Sequence, residues 1–378
     1  MIYLDHAATT PIDPEVAKEM IAYLTKEYGN PSSKYYTLAE NAKQALARAR
    51  QSIANLITCE EDEIIFTSGS SEGNNFIIKG IADAFSHKGK HIITTKAEHK
   101  STLECCKHLG TKGFDITYLD LDQYGNLDVE QLKRSITDDT LLVSVIWGNN
   151  EISTLTDIER VSTLCKSANV LLHVDATQVL GKVEIDLEKL HIDFLTISAH
   201  KIYGPKGIGA CYIKKTKHDT ISQITPLIHG GHQEFGVRSG THSMHNIVGF
   251  GKAAEVAKRD MSTYIPKIID LENLLKSSLL EKVPDVIFNG NQTYKIPGIL
   301  SVTVPKLNNE LFIKMISDKI AISTGSACAL GEPSHVLKAM GLEDFTSNTI
   351  RVSIGKFNDE GILDLVDYIN TYIEKFTI

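Results

Sequence analysis

Short apolar runs alternate with amphipathic stretches along most of the chain. Residues 91–95, 141–147, 170–174 and 194–197 are almost wholly apolar or β-branched, and read as buried strands. A further strand is predicted over 63–67. Another begins near Ala210, after Gly204, Pro205, Gly207 and Gly209 punctuate a turn. Asp13 followed by Pro14 opens a helix with Val16, Met20 and Tyr23 on one face. A second helix is expected over 38–57, and a third carries Ile77, Ile81, Ala84 and Phe85 on its buried side. Strands separated by helical patterns predict an α/β fold, a mostly parallel sheet with helices on both faces. The pattern changes after Thr241. Residues 244–283 read as a long helical stretch, broken or kinked at Pro266. Strands over 299–304, 320–323 and 349–354 follow, with helices over 308–319 and 333–340 between them. A last helix sets Ile362, Val366, Ile369, Ile373 and Phe376 on one face. This second part is expected to be a smaller α+β domain, joined by a short strand over 2–4. The division expected is 13–258 for the large domain, and 1–12 with 259–378 for the small one.

A length of 378 residues suits one large domain with a smaller companion. The hydrophobic share of 42% and charged share of 23% are those of a soluble globular protein. Net charge is -8, with no basic stripe, so direct nucleic-acid binding is not expected. No apolar run approaches the ~18 residues of a membrane span, and Met1-Ile2-Tyr3-Leu4-Asp5 runs straight into predicted structure rather than a signal peptide. The six cysteines (59, 105, 106, 165, 211 and 328) form no C-x-x-C and no regular framework. Reduced thiols in a cytoplasm are expected, five of them structural. His229-Gly230-Gly231-His232 offers two histidines without a third ligand at useful spacing, so no resident metal is expected.

Polar residues collect at the carboxyl ends of the predicted strands, where ligands bind in such sheets. Ser198-Ala199-His200-Lys201 ends one of them. A lysine there, against a glycine turn, is placed for desolvation to make it a nucleophilic amine. Ser68-Gly69-Ser70-Ser71 joins a strand to a helix, and is either a phosphate cup or a plain helix cap. Asp175, His99, and Asn150 with Gln178 stand at other strand ends. Singly, Asp175 reads equally as a cap, His99 as a satisfied core histidine and Asn150 as a turn residue. Together they match what pyridoxal phosphate requires: a lysine for the imine, an anion pocket, and a carboxylate at the ring nitrogen. The rest of the set is a flat group over the ring and hydrogen bonds to its hydroxyl. Asp175 lies about one strand–helix–strand unit before Lys201, which puts the two on neighbouring strands. Cys328 sits on a small-residue loop between a strand and a helix, where a thiol is accessible.

Tyr3-Leu4-Asp5-His6-Ala7-Ala8-Thr9-Thr10-Pro11, Thr67-Ser68-Gly69, Glu98-His99-Lys100, Asn149-Asn150-Glu151, Asp175-Ala176-Thr177-Gln178, Ser198-Ala199-His200-Lys201, Arg238-Ser239-Gly240-Thr241 and Gly325-Ser326-Ala327-Cys328 run in order across the chain. On these residues the sequence resembles the NifS/IscS-type cysteine desulfurases, of the class V aminotransferase group of fold-type I pyridoxal phosphate enzymes. The resemblance implies a large domain with a mostly parallel seven-stranded sheet, pyridoxal 5'-phosphate as cofactor, and a homodimer with its site near the subunit interface. It implies that Lys201, His99 and Cys328 are catalytic. Ser70, Ser71, Ser198 and His200 would hold the phosphate, and Thr241 would reach the partner subunit's cofactor. Asn150, Asp175 and Gln178 would hold the ring. Arg351 would pair with the substrate carboxylate, beside Asn150. The implied reaction takes L-cysteine to L-alanine. Lys201 moves the Cα proton, His99 shuttles the substrate thiol proton, and Cys328 takes sulfur as a persulfide for an acceptor protein.

One departure stands out. Only Ala329, Leu330 and Gly331 separate Cys328 from Glu332-Pro333-Ser334, fewer than in the family's longer-looped members. A shorter tether reaches less far, which points to one dedicated sulfur acceptor. Iron–sulfur cluster assembly, tRNA thiolation and DNA phosphorothioation are the candidate destinations. Some relatives suggest transient iron–sulfur ligation at Cys328. A same-fold aminotransferase or selenocysteine lyase would need the lysine and phosphate cup but not Cys328. A sulfur-carrier docking scaffold would need neither.

Overall fold

The computed structural model describes residues 1–215, 224–325 and 333–376. Its main sheet is built from β2 (Ile64–Thr67), β3 (His91–Thr95), β4 (Asp115–Leu119), β5 (Thr140–Ile146), β6 (Leu171–Asp175), β7 (Phe194–Ser198) and β8 (Gly209–Ile213). The order across it is β2-β8-β7-β6-β5-β3-β4; β8 runs antiparallel to β2 and β7, and the other pairings are parallel. Every residue of β5, β7 and β8 is buried, as expected of strands covered on both faces. A smaller antiparallel sheet orders β12 (Thr349–Ser353), β10 (Ile299–Thr303) and β9 (Ile287–Asn289). β1 (Ile2–Tyr3) pairs in parallel with β11 (Ile320–Ala321), so the first residues of the chain join the last third.

The helices are α1 (Pro14–Thr25), α2 (Thr37–Ile57), α3 (Ser70–Phe85), α4 (Lys100–Gly110), α5 (Val129–Ser135), α6 (Ile158–Ala168), α7 (Met244–Lys282), α8 (Asn309–Ile316), α9 (His335–Ala339) and α10 (Asp364–Phe376). α1 starts where the sequence says it should. Asp13 accepts from the Glu15 N–H at 2.8 Å, and Pro14 fills the first position, where no N–H is needed. α7 joins two cores. Ile247, Phe250, Ala253, Ala254 and Ala257 pack under the main sheet, whereas Tyr264, Ile268, Leu271, Leu275 and Leu279 pack with Leu4, Val302, Phe312 and Val352.

Several expectations change. α7 is one continuous helix of 39 residues through Pro266, not a broken pair. Packing of both its halves outweighs the hydrogen bond lost at the proline. β4 lies at the sheet edge with a half-exposed pattern that gives little apolar signal. No helix lies between β6 and β7. α8 is shorter than 308–319, and β11 shorter than 320–323. In α10 the buried face is Leu365, Val366, Ile369 and Tyr372, while Phe376 is exposed and Ile362 lies in the turn before the helix. No helix among the described residues is long and apolar enough to cross a membrane.

Candidate active site

The carboxyl ends of β5, β6 and β7 and the first turns of α3 and α4 surround a cavity of about 420 Å³. Ser70, Ser71, His99, Asn150, Asp175, Gln178, His200, Lys201 and Arg351 all line it. Two of the expected residues do not. Ser198 is buried, with its hydroxyl aimed at the Ile208 carbonyl 3.4 Å away. Thr241 is exposed on the loop after Arg238, whose guanidinium grips Glu72 of α3 at 2.7 and 3.1 Å. Cys328 lies outside the described residues, as does the short stretch behind it.

Asp175 is the last residue of β6, and Thr196, its register partner on β7, leads in five residues to Lys201. The two groups therefore reach the cavity from adjacent strands. Asp175 is 4% exposed. Its Oδ1 accepts from the Thr177 N–H at 3.0 Å, and its Oδ2 from the Asn74 amide at 2.7 Å. It is thus a turn cap and a cavity wall at once. Lys201 Nζ donates to the carbonyls of Ala7 and Ala8, the latter at 2.7 Å. Gln178 Nε2 donates to the same Ala7 carbonyl at 2.8 Å, and Lys182 Nζ donates to Gln178 Oε1 at 3.2 Å. The N-terminal segment is thereby sewn to the lysine.

The cations crowd one another. Burial, then the charges of Lys201 and Arg351, push the Lys182 ammonium down to about 7. Burial, then Lys201, pushes His200 down to about 4. A site rich in positive charge is one that takes an anionic ligand. The helix α3 has the matching end. Its N-cap is Gly69, at φ +152°, with no side-chain cap, and Ser70 and Ser71 occupy its first two positions. The first-turn N–H groups, which a capping side chain would otherwise take, face an anion site.

His99 caps α4, its Nδ1 accepting from the Ser101 N–H at 3.1 Å. Burial lowers its pKa against the pull of the Asp175 charge. Arg351 is 2% exposed. It donates to the Asn150 carbonyl at 3.0 Å, the Gly325 carbonyl at 3.2 Å and Asp5 Oδ1 at 2.8 Å. Its Nε is buried with no partner among the described residues, as an arginine awaiting a carboxylate would be.

Other residues of the site have no distinct signal in the sequence. His335 lines the cavity and meets the Glu98 carbonyl at 2.9 Å. Glu151 accepts from the Ser334 hydroxyl at 2.5 Å. Asn74 is completely buried. It shares a helix stripe with Ile77, Ile78 and Ile81, and a polar residue on an apolar stripe is the signal that would have found it. The five described cysteines are all free. Burial raises the thiols of Cys59, Cys105, Cys106, Cys165 and Cys211, with Cys105 at about 11, so these are packing residues and not nucleophiles.

The donor set fits pyridoxal phosphate. It has a buried carboxylate for the ring nitrogen, an amine one strand away, an uncapped helix end and a guanidinium for a carboxylate.

The aminotransferase class-V family matches residues 2–366. A protein named cysteine desulfurase IscS, from Pseudoalteromonas translucida, is 41% identical over 96% of this chain and 90% of its own length. A solved NifS-like protein superposes with a TM-score of 0.92 at 35% identity, covering 99% of both chains. A structure titled SspA in complex with cysteine superposes with a TM-score of 0.82 at 34% identity, over 95% of this chain and 100% of that one.

Proposed function

The chain belongs to the aminotransferase class-V family and is a pyridoxal-phosphate-dependent cysteine desulfurase, and from that premise we propose how its residues divide the work. Bound pyridoxal phosphate supplies an electron sink when the substrate's Cα–H bond breaks. Lys201 holds the cofactor and then carries the Cα proton. Asp175 keeps the ring nitrogen protonated. Ser70, Ser71, His200 and the α3 end would take the phosphate, and the partner copy's Thr241 would complete that pocket. Asn150 and Gln178 would hold the ring hydroxyl, and His99 would pack over the ring. Arg351 and Asn150 hold the L-cysteine carboxylate. The Cys328 thiolate attacks the substrate sulfur as the Cβ–S bond breaks and leaves its electron pair on carbon; protonation of that carbon gives L-alanine, and the sulfur stays on Cys328 as a persulfide. The cysteine bound in the SspA structure supports the substrate assignment.

The observation that carries this reading is the meeting of Asp175, Lys201 and Arg351 in one cavity. A homodimer is supported by the exposure of Thr241 away from its own chain's cavity. The two cores joined by α7 support the division into 13–258, and 1–12 with 259–378. Free described thiols support a reducing cytoplasm. The short stretch after Cys328 supports delivery to one dedicated acceptor protein in iron–sulfur assembly, tRNA thiolation or DNA phosphorothioation.

The test is to supply L-cysteine with reductant and measure sulfide and alanine against cofactor absorbance. Equal sulfide and alanine are expected. Cys328→Ala should keep the bound cofactor and lose sulfide, whereas Lys201→Ala should lose the covalent link to it. Sulfide release undiminished in Cys328→Ala would overturn the role of that thiol and favour the lyase reading.

A further inference from the structure

We infer that Asn74 and Ser101 fix the proton of His99 on Nε2, so that His99 meets the cavity as a hydrogen-bond donor and not as a base. The argument starts at Asp175. A carboxylate only accepts, so the Asn74 atom 2.7 Å from Asp175 Oδ2 is the amide nitrogen. The same nitrogen lies 2.9 Å from Ser101 Oγ. Its two hydrogens thus have two acceptors. Ser101 Oγ accepts one of them and keeps its own hydrogen for His99 Nδ1, 2.8 Å away, which the donating Ser101 backbone N–H marks as an acceptor. The Ser101 backbone N–H donates to the same Nδ1 at 3.1 Å. Two donors aimed at Nδ1 leave no place for a hydrogen on it. A neutral imidazole carries one N–H, which is then on Nε2.

Asp175 sets the direction at the Asn74 end of the chain of bonds, and the Ser101 N–H sets it at the His99 end. Asn74 is completely buried, and its Oδ1 has no partner among the described residues. The amide is held by its two N–H bonds alone, so turning it over would cost both of them and set its oxygen against a carboxylate. With Nδ1 turned into the first turn of α4, the Nε2 edge is what His99 offers the cavity it lines. An Nε2–H has no lone pair to take a thiol proton. The proton shuttle that the family resemblance implies for His99 would need a hydrogen moved onto Nδ1 against both donors there. His99 instead steadies negative charge by donation. Asn74 and Ser101 are positioning residues, acting through His99 without touching the substrate. This assignment rests on reading the cavity as the cofactor and cysteine site, but the position of the proton can be measured whether or not sulfide is released.

Neutron diffraction from deuterium-exchanged crystals of the holoenzyme reads it directly. A deuteron on His99 Nε2, none on Nδ1, and the Asn74 deuterons towards Asp175 and Ser101 are expected. A deuteron on Nδ1 overturns the inference. In solution, the nitrogen resonances of His99, assigned by their loss in His99→Gln, report its titration. Ser101→Ala removes one hydrogen bond that favours the neutral ring, which should raise the midpoint by ~0.5–1 pH unit. Ser101→Thr restores the hydroxyl and should restore the midpoint. An unchanged midpoint in Ser101→Ala overturns the part given to Ser101. Asn74→Leu should populate both ring tautomers. If that buried change prevents folding, the half-buried Ser101 variants still decide.

Discussion

Glu98 stands one residue before His99, and is 1% exposed. Its Oε1 accepts from the Thr95 hydroxyl at 2.8 Å and the Ile146 N–H at 2.9 Å, while Oε2 has no partner among the described residues. Burial, outweighing those hydrogen bonds and helped by the Asp175 charge, pushes its pKa up from 4.5 to about 8. Between those values the folded state holds a proton that the unfolded state has lost. The stability that Glu98 contributes should therefore fall as pH rises from about 4.5 to about 8, by on the order of 1 kcal/mol per pH unit, and level off above. Glu98→Gln keeps the Oε1 acceptor and cannot ionise. Its urea midpoint should gain on that of the parent protein between pH 5 and 8, with no further gain at pH 9. A difference between the two that stays constant over the series would show that Glu98 reaches water or a partner when it ionises. The contrast with its neighbour explains what a sequence discloses at this scale. Lys201, Asp175 and His99 are legible because each ends an apolar run, and strand ends of such sheets carry ligands. Glu98 lies in the same stretch as His99, but its burial is created by β5 arriving beside β3. Asp5 meets Arg351 across nearly the whole chain, which no local pattern encodes.

At the scale of elements, α2 and α7 cross where Gly251 of α7 meets Ala49 of α2. A Cβ added at Gly251 would lie 2.5 Å from Ala49 Cα and 2.6 Å from Ala49 Cβ. No side chain can rotate away from that contact, so one helix must shift. Gly251→Ala should cost ~1–3 kcal/mol, as overpacking of a core does, and lower the thermal midpoint while cofactor absorbance is retained. Unchanged stability would mean that the helices separate there without loss. α7 also marks the limit of propensity reasoning. Pro266 removes one N–H from the ladder and predicts a break, at a cost of ~3 kcal/mol. Tyr264, Ile268 and Leu271 bury their side chains around it and hold the helix together. The opposite failure occurs between β6 and β7. A helix is the usual crossover between parallel strands, yet 176–193 is packed as turns, with Val179, Leu180, Ile185 and Leu187 still in the main core. Its apolar residues are visible in the sequence, but their helical phase is not enforced.

The whole molecule keeps several histidines where a charge has no counterpart. His6 is 4% exposed, with the Tyr3 ring 4.9 Å away and the Tyr203 ring at 6.1 Å. His173 is completely buried between Ser144 and Thr196, at 2.8 and 3.0 Å. His200 is half-buried beside Lys201. Burial pushes all three down from 6.5 to about 4, helped at His6 by Lys182 and at His200 by Lys201, and opposed at His173 by Asp175. His6 and His200 join the N-terminal segment to the catalytic turn, and His173 joins β5 to β7 inside the sheet. The sign follows from the direction of the shifts. A depressed pKa means that the unfolded chain binds protons the folded one refuses, between about 4 and 6.5. The stability they lend is complete above 6.5 and is lost as pH falls to about 4. Each fully buried histidine adds a slope on the order of 1 kcal/mol per pH unit, His200 less because solvent screens it. Glu98 works the other way and removes one proton from the balance. The urea midpoint should therefore drop steeply between pH 6.5 and 4, with a net uptake of roughly two protons on unfolding near the middle of that range. His173→Asn, which cannot be charged, should flatten the drop by about one proton even if it lowers stability at pH 7. A midpoint that holds level down to pH 4.5 would show that these rings gain water or a partner without the fold opening.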